Sequence, residues 1–579
     1  STIGPSSSDA PSPNQAVGSE SAQTPYAPSG QPGIVRATKP FPVLSALIGV
    51  SIGAAVMVMA QWFAPTFDHQ NANMISIAAG ILTLLYLVVL AHRSVASHGY
   101  RWRVPGVVVA AICSFLLLVR MDGFSGEMVP QLKWRFGSGV RPELKEIPTS
   151  GPTGVAVADD IDAKQAAADW PQFLGVNRTG VINERLFAVP NGIDDARVLW
   201  DQGIGEGWSS FAVVNDRAVT LEQRDDQECV TCYRLIDGEL LWIVEHEARH
   251  ENPMGGIGPR STPTIAESRV YTNGATGLLQ CIDVQSGDVI WSVDLLELAD
   301  WNQLESEAAA PWGRATSPLL IESLGLCVVG FGSPVQASSV GADGMTDTLK
   351  SLIALDARTG EVKWKAGRDQ FSYASPILMK LAGRDQIVSV NEKTVSGHEP
   401  ETGEQLWSFS WPGATNAGAT CSMAIPAGDD SLIVGKGYGG GSRMMKIVQR
   451  DGKMIAEEVW SSSRILKTKF NHALVQGDVA YGISNGSLQA ARISTAQPLW
   501  TQPRRSRFGQ GQVILVDDVL VAQSEDGDVV FVSADETEYR ELGRLPALQS
   551  KTWNIPTIAG RHLLVRNDRR AICYLLEAK

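Results

Sequence analysis

A unit of roughly 40 to 50 residues recurs through the second two thirds of the chain, and its period limits the possible folds more than any other feature. Its clearest copies are "CIDVQSGDVIWSVDL" (281 to 295), "ALDARTGEVKWKAG" (354 to 367) and "GHEPETGEQLWSFSW" (397 to 411), joined by "YRLIDGELLWIVE" (233 to 245). Each is an apolar strand, a turn of the Asp-x-x-x-Gly type, and a second strand carrying Trp. The glycine supplies the positive φ that such a turn needs.

The phase is marked at Trp200, Trp242, Trp291, Trp364, Trp407, Trp460, Trp500 and Tyr539. Intervals run from 39 to 53 residues except for one of 73, which points to an insertion around "VQASSVGADGMTDTLK" (335 to 350). A second set of segments keeps the same step: "SSFAVV" (from 209), "STPTIA" (261), "TSPLLI" (316), "ASPILM" (374), "CSMAIP" (421), "NHALVQ" (471), "GQVILV" (511) and "NIPTIA" (554). These are the candidate inner strands of eight units. Several short strands per unit at this period predict a β-propeller. The last unit lacks a Trp strand and the Trp200 strand has no unit of its own, so pairing them closes the ring and removes both free edges.

The tryptophan repeat resembles the PQQ-like repeats of the quinoprotein alcohol dehydrogenase-like superfamily and of the outer-membrane assembly lipoprotein BamB. "DWPQFLGVNRTG" (169 to 180), "GPRSTPTIAESRVYTNGATGLLQCID" (258 to 283) and "KTWNIPTIAGRHLLVRNDRRAICYLL" (551 to 576) are similar to bacterial PQQ-binding-like propeller proteins. The resemblance implies an eight-bladed all-β propeller over 169 to 579. A shared propeller does not determine an activity.

The N-terminal part reads differently. Residues 1 to 40 are rich in Ser, Pro, Gly and Ala and predict a disordered tail. Three apolar runs follow, at 41 to 64, 74 to 92 and 104 to 119. They predict a three-helix transmembrane anchor over 41 to 120, with a linker from 121 to 168. The third run is short and relies on neighbours such as Arg120 snorkelling. Arg36 and Lys39 precede the first run, 65 to 73 carries no Lys or Arg, and Arg93, Arg101 and Arg103 separate the second run from the third. By the positive-inside rule the tail and second loop are cytoplasmic. Three crossings then put the propeller on the extracytoplasmic, periplasmic side of the inner membrane; if the short third run does not cross, the propeller is cytoplasmic.

Three local motifs have bland readings. "HEARH" (His246, Glu247, His250) has the spacing of a zinc hydrolase helix, but it begins four residues after the repeat's Trp242. That position predicts a charged linker between blades. "CVTC" (Cys229, Cys232) has no second half-site and predicts ordinary strand cysteines. Asn177 begins an "NRT" glycosylation pattern to which little meaning attaches in a bacterial-looking chain.

The residues just before each inner strand form a more informative set: Trp208, Arg260, Arg314, Tyr373, Lys467, Lys469, Arg507, Gln510, Lys551, Trp553 and Asn554. Six are cationic in a chain of net charge -13, which points to a positive funnel for an anionic ligand with aromatic rings for stacking. The resemblance implies that such a ligand could be PQQ with calcium. Against this, the chain has no adjacent cysteines, and no calcium ligands or carboxylate base match definite positions. The acidic composition excludes a general nucleic-acid binder. What the residues support is a binding or scaffold module of the cell envelope, with the membrane and an envelope protein or anionic ligand as partners. A PQQ-dependent dehydrogenase for an alcohol or sugar is the alternative, and no catalytic set can be assembled.

Overall fold

The computed structural model describes residues 41–66, 68–96, 102–136, 144–145, 169–332, 350–411 and 419–579. The expected tail at 1 to 40 and the insertion at 335 to 349 lie outside the described residues. Eight sheets, each with at least four antiparallel strands, follow one another from residue 196 to the C-terminus. Their inner strands, from Ala212–Val214 to Thr557–Ala559, fall in the eight segments expected from the repeat. The strand Arg570–Leu576 pairs with Ala196–Gly203, so the Trp200 strand completes the last blade and closes the ring.

The Trp repeat has a specific physical origin. In each blade the register between the third and fourth strands slips once, directly after the residue opposite the marker position. The bulge turns the indole toward the next blade. There Trp200, Trp242, Trp291, Trp364, Trp460 and Trp500 donate Nε1–H to main-chain carbonyls of the following blade, at 2.6 to 3.1 Å. The turn glycines Gly238, Gly287, Gly360 and Gly403 have φ between +68° and +78°, and a Cβ on any of them would strike the preceding blade's indole at 2.6 to 2.9 Å. One residue thus meets the turn's backbone requirement and leaves room for the ring. Cys232, Cys281 and Cys573 lie directly opposite Trp242, Trp291 and Trp200. The CVTC pair therefore consists of buried strand thiols on Gln227–Arg234, of which Cys232 belongs to the repeat.

Two markers depart from the pattern. Trp407 donates instead to Gln386 Oε1 in its own blade. Tyr539 is out of phase: the position equivalent to the Trp is Gly543, opposite Phe531. A Cβ on Gly543 would meet the Pro190 carbonyl at 1.8 Å. The incoming chain occupies the space where an indole would lie, so this blade has no ring there.

The apolar runs form α1 (Val43–Phe63), α2 (His69–Ala96) and α3 (Arg103–Leu118). Among the described residues two helices, Val43–Phe63 and His69–Val95, are long and apolar enough to cross a membrane. The expectation of three such helices needs correction. α3 has 16 residues, about 24 Å at 1.5 Å per residue. It stops because "VRMDGF" continues as strand β1 (Val119–Phe124), which forms a hairpin with β2 (Pro130–Trp134). The hairpin occupies a stretch that reads in the sequence as span and linker.

Candidate functional site at the propeller axis

The links between blades enter the inner strands on one face of the ring, here called proximal; the turns after the inner strands lie on the distal face. All eleven residues expected at the funnel precede inner strands. What meets Lys467, Lys469, Arg507, Gln510 and Lys551 there is the protein's own N-terminal region.

Two segments cap the proximal face. The α1–α2 connection is the first: Lys467 donates to the Thr66 carbonyl at 2.7 Å, and Asn485 bridges the Ala64 carbonyl and the His69 amide at 3.0 Å each. The tip of the β1–β2 hairpin is the second. Arg507 forms a two-pronged pair with Glu127 at 2.8 and 3.1 Å. Lys469 joins both segments, donating to Gln70 Oε1 at 2.5 Å and to the Gly126 carbonyl at 2.8 Å. Lys551 lies 3.4 Å from the Phe124 carbonyl and over the rings of Trp208 and Trp553. Gln510 packs under Gly126, where a Cβ would come within 2.5 Å of it.

Burial dominates the electrostatics of this cap. It lowers the pKa of Lys469 and of Lys467, with Asp68 acting in the opposite direction on both. It raises that of Glu127, an effect opposed by Arg507 and Lys469 and reinforced by Glu525. Four of the expected cations, Lys467, Lys469, Arg507 and Lys551, thus have ligands in the capping segments: main-chain carbonyls, an amide oxygen and one carboxylate.

The distal end is closed by residues 169 to 182. Trp170 exchanges main-chain hydrogen bonds with Val213, Pro171 accepts from the Ile265 amide, and Val181 and Ile182 run parallel to Leu515 and Val516. The fully buried Arg178 donates to the Ser317 and Pro318 carbonyls and to Gln172 Oε1. Between the two closures lies a chamber of about 170 Å³. Gly126 and Met128 bound it proximally, Phe173 distally, and Trp208, Arg260, Tyr373 and Trp553 line its wall. Arg260 donates to the Trp312 and Gly255 carbonyls, and burial lowers its pKa to about 10. Among the described residues no carboxylate pairs with it. The rings of Trp208 and Trp553 stand 4.7 Å apart.

Two expected site residues serve elsewhere. Arg314 is buried between Trp301 and Phe371, away from the chamber. Asn554 donates to the Ser209 carbonyl and joins the last blade to the first. Glu525, which the sequence did not single out, accepts from the Gly126 amide, from the Gln510 amide at 2.9 Å and from Trp553 Nε1 at 2.8 Å. It lies in "SEDG", a turn equivalent to "SNGS" around Asn485. Aligning those second turns of the blades would have found both. Glu127 and Gln70 lie outside the repeat, and no periodic signal marks them.

The HEARH motif is not helical. Leu240–Glu247 is the outer strand of its blade, so His246 and Glu247 belong to a strand and not to a linker. His246 faces the buried Glu228 at 3.5 Å, while His250 is buried beside Gly313. Among the described residues no group of three His, Cys, Asp or Glu could hold a metal ion. The chamber does not fit a calcium-bound PQQ: its proximal end is filled by Gly126 and Met128, and Glu525 is committed to the hairpin tip.

The family model described as "Outer membrane protein assembly factor BamB" matches residues 191–333 and 330–540. BamB of Burkholderia pseudomallei is 22% identical over 329 residues, covering 54% of this chain and 72% of that protein. Among solved structures, BamB from Moraxella catarrhalis has a TM-score of 0.42 at 14% identity, over 66% of this chain and all of that one. A quinohemoprotein alcohol dehydrogenase from Pseudomonas putida has a TM-score of 0.39 at 13% identity, over 74% and 83%.

Proposed function

This chain belongs to the propeller family described as outer membrane protein assembly factor BamB, and from that premise we propose that it is a membrane-anchored binding or scaffold module of the cell envelope, with its propeller on the periplasmic side of the inner membrane. The observation that carries the reading is the capping of the proximal face by the connection between two apolar helices and by the strand hairpin that follows the third. The cap holds the ring against its own anchor, so the distal turns and outer strands are the surfaces left for a partner. Both capping segments meet the same face, which supports an arrangement with the α1–α2 connection and the propeller on one side, and this arrangement requires the short α3 to carry the chain back across the membrane. The low positive charge of residues 65 to 73 supports the same side as extracytoplasmic.

The chamber supports a second, smaller role. An anionic ligand of modest size would meet Arg260, whose charge no carboxylate among the described residues offsets, beside the paired rings of Trp208 and Trp553. It would have to enter past the hairpin tip.

The test uses the full chain in intact cells. A photoreactive residue at Asp237 or Asp535, on distal turns, is expected to trap the same envelope protein from both positions. A membrane-impermeant thiol reagent is expected to label Asp535→Cys and spare Arg36→Cys. Saturable binding of PQQ with calcium below about 100 μM, together with dye reduction by an alcohol or sugar, would overturn the scaffold reading in favour of a dehydrogenase.

A further inference from the structure

The β1–β2 hairpin has two chemically distinct faces. Cross-strand partners share a face. Val119 is opposite Trp134 and Met121 is opposite Leu132, making one face apolar. Arg120 is opposite Lys133, and Lys133 pairs with Asp122, so the other face is charged. In a soluble two-stranded ribbon the apolar side would be buried. Here Met121 is 57% exposed, Leu132 53% and Trp134 55%, and Phe136, in ring contact with Trp134, is 70% exposed.

The position of this face suggests what covers it. The tip of the hairpin is docked in the propeller, whereas its base, with Trp134, adjoins the end of α3, where the Arg135 amide donates to the Leu118 carbonyl. The α1–α2 connection docks on the same propeller face, and just before it Trp62 at the end of α1 is 76% exposed. The apolar side of the hairpin therefore continues the lipid-type surface of the helices at the level where α1 ends. The 24 Å of α3 falls short of a hydrocarbon core of about 30 Å, so the residues that follow it lie near the boundary layer. Trp and Phe beside Arg and Lys is the composition that favours that layer.

We propose that the apolar face of the β1–β2 hairpin is a membrane-surface foot whose partner is the headgroup and upper acyl layer of the bilayer. Met121, Leu132, Trp134 and Phe136 enter it, and Arg120, Lys133 and Arg135 reach the phosphates. The proposal rests on the anchor reading above and adds a third contact with the membrane, one made by a strand hairpin.

The experiment places nitroxide labels at Leu132→Cys, Lys133→Cys and Trp134→Cys, with Leu82→Cys on α2 as the reference. The labels are introduced into the full chain on a Cys113→Ser background. The protein is held in nanodiscs of phosphatidylethanolamine and phosphatidylglycerol, and collision rates with oxygen and with a water-soluble nickel chelate are compared. Positions 132 and 134 are expected to favour oxygen several-fold over position 133, which favours nickel. If Leu82 favours oxygen while 132, 133 and 134 all favour nickel, the foot is wrong and the anchor stands. Preference for nickel at Leu82 overturns the anchor itself. Shielding of 132 and 134 from both reagents would mean a protein surface, such as a second copy, covers the face, and would also overturn the proposal.

Discussion

At the distal end of the bore the closing segment is held by backbone pairing, by the buried ring of Trp170 and guanidinium of Arg178 and by the partly buried ring of Phe173; at the proximal end the closure rests on side-chain ammonium, guanidinium and carboxylate groups reaching loop carbonyls and amides. The first type of contact is part of the propeller's own ladder, since Val181 and Ile182 extend a blade as a fifth strand. The second joins segments that belong to different parts of the chain. Backbone pairing and ring burial are lost only with the fold, whereas polar contacts to loops can be exchanged for water at modest cost. The distal closure is therefore tied to the fold, and the proximal one is expected to open first.

The largest expected effect falls on the distal side. Trp170→Ala should cost about 3 to 5 kcal/mol of propeller stability, as for other buried Trp truncations, read as a fall in the denaturant midpoint. A loss below about 1 kcal/mol would mean that the segment merely lies against the ring.

On the proximal side Glu525→Ala leaves the Gly126 and Gln510 amides and Trp553 Nε1 without their acceptor. The expected cost is about 2 to 3 kcal/mol, confined to the cap. Hydrogen exchange should rise at least tenfold at residues 124 to 128 and stay unchanged at 170 to 180. Equal acceleration at both ends would show that the two closures are one cooperative unit.

Acid should act on His472 near the distal end and on Glu127 at the proximal cap with opposite signs. His472, beside Phe173, accepts from the Met423 amide through Nδ1, and burial lowers its pKa to about 3. Below the ordinary value of 6.5 the unfolded chain takes up a proton that the folded one refuses. Stability present above pH 6.5 is then lost at up to about 1.4 kcal/mol per pH unit as the pH falls toward 3. His472→Gln should flatten that slope in urea titrations between pH 6 and 4.

Glu127 has a raised pKa, so the docked cap binds its proton more readily than the free hairpin does. The contribution of Glu127 to docking should strengthen as pH falls through that raised value toward 4.5, the ordinary glutamate value, and level off below it. Glu127→Gln, which mimics the protonated side chain, should remove this dependence and hold the cap at neutral pH at least as tightly as the charged glutamate does, visible in exchange at residues 124 to 128. A pH dependence retained in that variant would assign it to other groups.

The legible and illegible parts of the molecule divide in the same place as the two closures. Seven Trp positions, the turn glycines and the eight inner strands recur because each blade solves the same packing problem, and a repeated solution leaves a period in the sequence. The one marker out of phase, Tyr539, was misassigned because a single chain crossing at Pro190 replaces the ring with Gly543. The cationic residues of the proximal face were visible as side chains in a common position. Their ligands were not.

The sequence by itself determined the blade count, the ring closure through the Trp200 strand and the presence of apolar helices ahead of it. Each follows from local periodicity, from the pairing of two incomplete units or from run length. Only the tertiary structure decided that the funnel is capped, that α3 ends in a strand hairpin and that the bore holds a chamber between two closures. The Lys467 contact to Thr66 spans 401 positions and ends on a main-chain carbonyl, a group every residue carries. A contact made to the backbone leaves no mark in the identity of the residue that receives it.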